Sequence, residues 1–299
     1  MTGWWQSWAR VMQLGWLVAA GLFPAGARAI SDPEALPFLI RSWQTDQGLP
    51  NNTVRAVTQT RDGYLWLGTD AGLVRFDGVS CRRYGLTEGL GSLQVTVLLE
   101  DAAGALWIGT EGGGVSRWAD GRMETFTVKN GLAGNSIQAL TEGAPGEIWV
   151  GTPTGLSRWR DGRFEAPDAR VANSFVFDLA RCRNGDILAA TLYDGLLRFH
   201  GGDFTRLDPM TADGVTNYPR CVMVDKDDRI WAGWRERQRR VSCLENGAWR
   251  DYTTNEGMPE IVLNRMTQTA DGTVWAASLN EGLYYVRDGQ FHRLGRPEG

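Results

Sequence analysis

Histidine is almost missing from this chain, which holds only His200 and His292 among 299 residues. Cysteine is also sparse: Cys81, Cys182, Cys221 and Cys243 lie far apart, at no spacing that marks a disulfide framework, and read as free, half-buried thiols. Few residues are therefore left for a histidine–cysteine metal centre or a histidine-activated nucleophile, and no GxSxG elbow occurs. Basic excess is lacking too. The chain has 31 Lys and Arg against 35 Asp and Glu, the wrong balance for a nucleic-acid surface. No glycine run sits between a strand and a helix as a nucleotide loop requires, so no cofactor is expected.

Long apolar runs are confined to the N-terminus. Arg10 precedes a mostly apolar stretch, Val11 to Phe23, and Pro24 leads into Ala27-Arg28-Ala29, a small-x-small cleavage pattern. The stretch is short for a bilayer span, which needs about 20 apolar residues. Residues 1–29 read as a secretory signal peptide, and the mature chain as exported with no membrane span. Its removal takes away Arg10 and Arg28 and leaves 29 bases against 35 acids, or −6.

Glycine and tryptophan, by contrast, are plentiful, at 38 and 14. Their placement is periodic. WLGTDAGLVRFDG (66–78), WIGTEGGGVSRWADG (107–121) and WVGTPTGLSRWRDG (149–162) are followed by weaker copies starting at Leu188, Trp231 and Trp275. The anchors Trp66, Trp107, Trp149, Leu188, Trp231 and Trp275 are 41, 42, 39, 43 and 44 residues apart, the period of a propeller blade. Each copy divides into four strands, a to d, spanning about 54–85, 95–127, 137–165, 176–205, 219–252 and 262–294. Strand b carries the anchor, and strands c and d are joined by Asp-Gly, Asn-Gly or Gly-Gly pairs that suit tight hairpins. Connections this short exclude crossover helices, so the chain is predicted to be all-β: a propeller of four-stranded antiparallel blades, six of them present, within 38–299. The six anchors are expected to fill the spaces between blades.

The WxGTxxGLxRFDG core, preceded by GLPNNTVRAVTQTRDGYLW (48–66), resembles the two-component regulator propeller repeat. FLIRSWQTDQGLPNN (38–52) resembles the usual opening of that family's sensor region. The resemblance runs over 38–299 and is weakest in copies four and five. It implies a periplasmic sensor followed by a membrane helix and a cytoplasmic output domain, commonly a histidine kinase or a diguanylate cyclase. No residue here is assigned to either activity. The last stretch, FHRLGRPEG (291–299), follows RRYGLTEGL (82–90) and stops one residue short of the next leucine. This reads as a fragment of a larger ring: Phe38 to Trp43 supplies a seventh d-type strand, as in a seven-bladed propeller.

Candidate binding residues come from two places. One position in strand a reads Arg55, Thr96, Gln138, Phe177, Arg220 and Asn264 through the copies and is expected to face the central channel or its rim. The b–c loops contribute Tyr193, Asn280 and an Arg-rich fifth loop with Trp234, Arg235 and Arg237, suited to a small anionic or sugar ligand, including an oligosaccharide. A solvated charged insertion is the plain alternative for that loop. Asp225, Asp227 and Asp228 resemble the start of a calcium loop but lack its glycine and distant glutamate. A propeller lyase or glycosidase needs paired carboxylates in the channel, and Glu111, Asp194 and Glu281 show no pairing in sequence. The leading expectation is a ligand-sensing module that works with a second propeller or a downstream receptor region. A protein-binding scaffold is the third possibility.

Overall fold

The computed structural model describes residues 43–167, 171, 173–207, 218–235 and 241–294, all of them in one unit, Arg41–Arg296. The signal peptide reading and most of Phe38 to Trp43 lie outside the described residues. Six four-stranded antiparallel sheets follow one another along the chain. Their inner a strands are Val54–Gln59, Val95–Glu100, Ala139–Glu142, Val176–Arg181, Pro219–Val224 and Leu263–Gln268. The sixth d strand, Gln290–Leu294, is paired in place on its own c strand. The class is all-β, a propeller of six blades.

Turn chemistry follows the dipeptides in five blades. Asp120-Gly121, Asp161-Gly162, Gly201-Gly202, Asn246-Gly247 and Asp288-Gly289 all have positive φ at both positions, the backbone of a two-residue hairpin matched to strand twist. Blade one departs. Asp77 keeps an ordinary φ, and its carboxylate accepts from the N–H groups of Val79 and Ser80, which gives a longer turn.

The core consists of one hydrophobic cluster per interface. Trp66 packs with Val95 and Ile108 of the next blade, Trp107 with Ile137 and Val150, and Trp149 with Val176 and Ala189. Leu188 packs with Val222 and Ala232, and Trp231 with Leu263 and Ala276. Gly68 and Gly151 on strand b let the neighbouring strand a approach this closely. A Cβ at Gly68 would meet Val95 at 2.5 Å, and one at Gly151 would meet Val176 at 2.6 Å.

Among the described residues no such cluster joins blade six to blade one. Trp275 packs on Tyr285 of its own blade. Val95, Ile137, Val176 and Leu263 are fully buried, whereas their counterpart in blade one, Val54, is 38% exposed and nearby Val57 is 61% exposed. Val57→Asp is accordingly expected to change stability by less than about 0.5 kcal/mol, while Leu140→Asp, at the same register in blade three, buries an unpaired charge. Urea denaturation of the two variants checks this; a large loss for Val57→Asp would mean that the first blade's open face is covered.

The connection entering blade one matches those between later blades. Single 3-10 turns at Thr45–Gln47, Leu86–Glu88, Val128–Asn130 and Thr254–Glu256 each end on a left-handed glycine. In each, the third side chain accepts from the N–H just before the turn, at 2.6–2.9 Å. Trp43 stands before the first turn as Tyr84 and Phe126 stand before the next two. Its ring meets Phe76 edge-on at 5.3 Å, as Tyr84 meets Trp118 at 5.1 Å.

Candidate functional site: the central funnel

A backbone irregularity aims the channel row. In blades one, two, four, five and six the a–b register slips at the second residue of strand a, leaving Arg55, Thr96, Phe177, Arg220 and Asn264 without a cross-strand partner. Such a bulge re-aims the extra side chain. Gln138 occupies the same place just before the third a strand. These six residues line one cavity of about 290 Å³ together with Val54, Glu111 and Arg265. Every blade contributes to it.

Its chemistry is unevenly shared. Arg55 is paired with Asp70, and this bond raises its guanidinium pKa. Arg220 reaches Asn264 Oδ1 at 3.4 Å and lies 4.9 Å from the centre of the Phe177 ring. Arg235, from the fifth b–c loop, approaches the same ring at 5.6 Å. Among the described residues neither Arg220 nor Arg235 has a carboxylate partner. Burial, and then the charges of Arg235 and Arg265, lower the Arg220 pKa. Among the described residues four arginines (55, 220, 235, 265) face three acids (Asp70, Glu111, Asp178), which leaves one positive charge in excess.

Arg265 crosses the funnel. From blade six it pairs with buried Asp178 of blade four and donates to the Gln138 carbonyl of blade three at 2.8 Å. Asp178 also accepts from the N–H groups of Leu179 at 2.9 Å and Val222 at 3.1 Å. Burial pushes the Asp178 carboxyl up, against the pull of Arg265 and of these donors. The sequence reading did not single out Asp178 and Arg265.

The remaining candidates disperse. Trp234 is not a loop residue: it ends strand Ile230–Trp234, is 1% exposed, and donates from its indole to Ser242 Oγ at 2.8 Å. It stands in the slot that Thr69, Thr110, Thr152 and Thr191 fill in other blades, so its assignment to a ligand is corrected to the core. Tyr193 is 67% exposed and lines a separate cavity with Asp194 and Arg206. Asn280 is exposed in the sixth b–c loop, and Arg237 lies outside the described residues. Glu111, Asp194 and Glu281 do not converge: the first lines the funnel, the second bonds Ser174, and the third lies 3.7 Å from Arg293. The anchors Trp66, Trp107, Trp149, Leu188, Trp231 and Trp275 are all buried.

The acidic run at 225–228 shapes a turn. Asp225 is buried. Although burial raises its pKa, the Trp231 indole, the Arg229 N–H and the Arg229 guanidinium together hold it below the usual carboxylate range. A folded pKa below the unfolded one contributes stability above the unfolded value, about 3.9, that is lost as pH falls through the folded value. Asp225→Asn should therefore flatten the acid limb of stability against pH below about pH 4. An unchanged acid limb would remove Asp225 from that account.

The family profile for the two component regulator propeller matches residues 48–71, 89–112 and 131–154. Comparison with curated proteins gives no match. Among solved structures, the extracellular domain of the putative hybrid two component system BT3049 from B. thetaiotaomicron superposes with TM-score 0.72 at 18% identity. The superposition covers 88% of this chain and 37% of that one. BT4673 from the same organism gives 0.65 at 16%, covering 84% and 37%. Virginiamycin B lyase from Staphylococcus aureus also gives 0.65 at 16%, covering 80% and 83%. The chain thus spans little over a third of the two-component structures, and at these identities the likeness is one of fold. The chain is similar in sequence to the two component regulator propeller in part of each of its first three blades, and similar in fold to the extracellular domains of two-component systems.

Proposed function

We propose that this chain is the ligand-sensing propeller of an exported bacterial receptor, and that it takes a small anionic ligand in the central funnel. One observation carries the reading. Residues from all six blades meet at one cavity, where Arg220 and Arg235 flank the Phe177 ring without carboxylate partners among the described residues. Unpaired guanidinium groups beside an aromatic face suit a carboxylate, sulfate or phosphate group. The repeat match and the BT3049 likeness support a sensor-type propeller; its periplasmic place, and a kinase or cyclase output elsewhere in the receptor, belong to this reading. A second propeller or a further receptor segment completes a seven-bladed ring or packs beside it, in keeping with the exposed Val54 and Val57.

Isothermal calorimetry with citrate and with sulfate tests the site. Binding is expected to weaken at least ten-fold in the Arg220→Ala, Arg235→Glu double variant, and to weaken with added salt. Arg122→Ala, which alters the exposed first residue of the second d strand, should leave it unchanged. No heat with either anion, or equal affinity in the double variant, overturns the reading.

A further inference from the structure

The charges around the funnel are sorted by blade. Arg55, Asp70 and Glu111 belong to blades one and two, where both carboxylates raise the Arg55 pKa, the hydrogen bond to Asp70 most. Asp178, Arg220, Arg235 and Arg265 belong to blades four, five and six. There burial first, and then Arg235 and Arg265, lower the Arg220 pKa, while Asp178 raises it. Among the described residues, one base against two acids leaves −1 on the first wall. Three bases against one acid leave +2 on the second. The single positive excess of the funnel therefore hides a dipole across it.

Pairing removes most of these charges. Arg55 is bonded to Asp70 and Arg265 to Asp178. What remains is the Glu111 carboxylate on one wall and the Arg220 and Arg235 guanidinium groups on the other. Glu111 is exposed at the start of the second b–c loop. Its N–H donates to the Gln94 carbonyl at 2.8 Å, while its carboxylate has no hydrogen-bond or ion-pair partner among the described residues. The cavity that these groups share, about 290 Å³, sits at the lower end of the range for small-molecule sites, which starts near about 300 Å³. Its occupant must be compact.

A simple polyanion fits only half of this arrangement. Its carboxylates suit the two guanidinium forks, but they meet Glu111 as a like charge. A ligand that also carries an ammonium group fits the whole. An ammonium has three donors and no acceptor, the complement of an ionised carboxylate. We propose that the funnel takes an acidic amino acid, whose ammonium group meets Glu111 and whose two carboxylates meet Arg220 and Arg235. Two carboxylates and one ammonium match the unpaired charges of the funnel sign for sign. This rests on the anion reading of the funnel and narrows it to a ligand class, with Glu111 as the residue that sets specificity.

Calorimetry at low salt with L-glutamate and with glutarate tests the proposal, because glutarate carries the same two carboxylates and lacks the ammonium. The native protein is expected to bind L-glutamate at least ten-fold more tightly than glutarate. Glu111→Gln, a change at an exposed side chain, should bring the two affinities within about three-fold, weakening L-glutamate and tightening glutarate by removing a like charge. Equal native affinities overturn the proposal and leave the anion reading standing, as does a failure of L-glutamate to bind where citrate binds. A preference for L-glutamate that survives Glu111→Gln at native strength overturns it too, since the ammonium would then be held elsewhere. If citrate, sulfate, glutarate and L-glutamate all fail to bind, the anion reading falls and this proposal with it.

Discussion

Replacing Trp234 with alanine is expected to destabilise the protein about as much as replacing Trp107, by about 3–5 kcal/mol in each case. Both side chains are 1% exposed and sit in interface clusters, Trp107 between blades two and three and Trp234 between blades four and five. Trp234 also meets Trp249 edge-on at 5.9 Å. Its loss leaves a cavity that neighbouring strands cannot close, and frees Ser242 Oγ, which remains bonded to Asp251. Denaturation midpoints for the two variants check this. A Trp234→Ala protein within about 1 kcal/mol of the native one would return this residue to the rim.

The second large effect is expected at the funnel axis. Asp178→Ala should cost about 2–3 kcal/mol, less than breaking a fully buried pair from one side, because the Arg265 side chain is 40% exposed and water can reach it. It leaves the Val222 N–H without its acceptor and the Arg265 guanidinium with only the Gln138 carbonyl. Because burial pushes the Asp178 carboxyl up, the pair contributes little net stability over an apolar replacement. The double variant Asp178→Leu, Arg265→Met is therefore expected within about 1 kcal/mol of the native protein, recovering most of the single loss. A double variant as unstable as Asp178→Ala would mean that the pair itself, and not its unpaired remnant, supports the fold.

The fold was legible because its signal repeats. One tryptophan, one glycine and one hairpin pair recur at blade spacing, and each has a packing reason in the structure. The channel row was legible for a related reason: a fixed register before each anchor brings one residue per blade to the funnel. What escaped were departures from the repeat. Trp234 looked like part of an inserted loop because threonine holds that slot in four blades, where its hydroxyl bonds a loop carbonyl. Asp178 and Arg265 sit in a column otherwise made of Ala56, Val97, Ala139 and Cys221. Two opposite charges in a small apolar column, 87 residues apart, were a readable signal of contact across the ring.

A row of blades in which each touches only its neighbours passes a disturbance along one interface at a time. The guanidinium of Arg265 shortens that route, because it joins blade six directly to blades three and four at the axis. If the funnel takes an anion as proposed, that anion would compete for this group with Asp178 and the Gln138 carbonyl. Among the described residues the inner end of blade six would then be tied to the ring through its contacts with blade five.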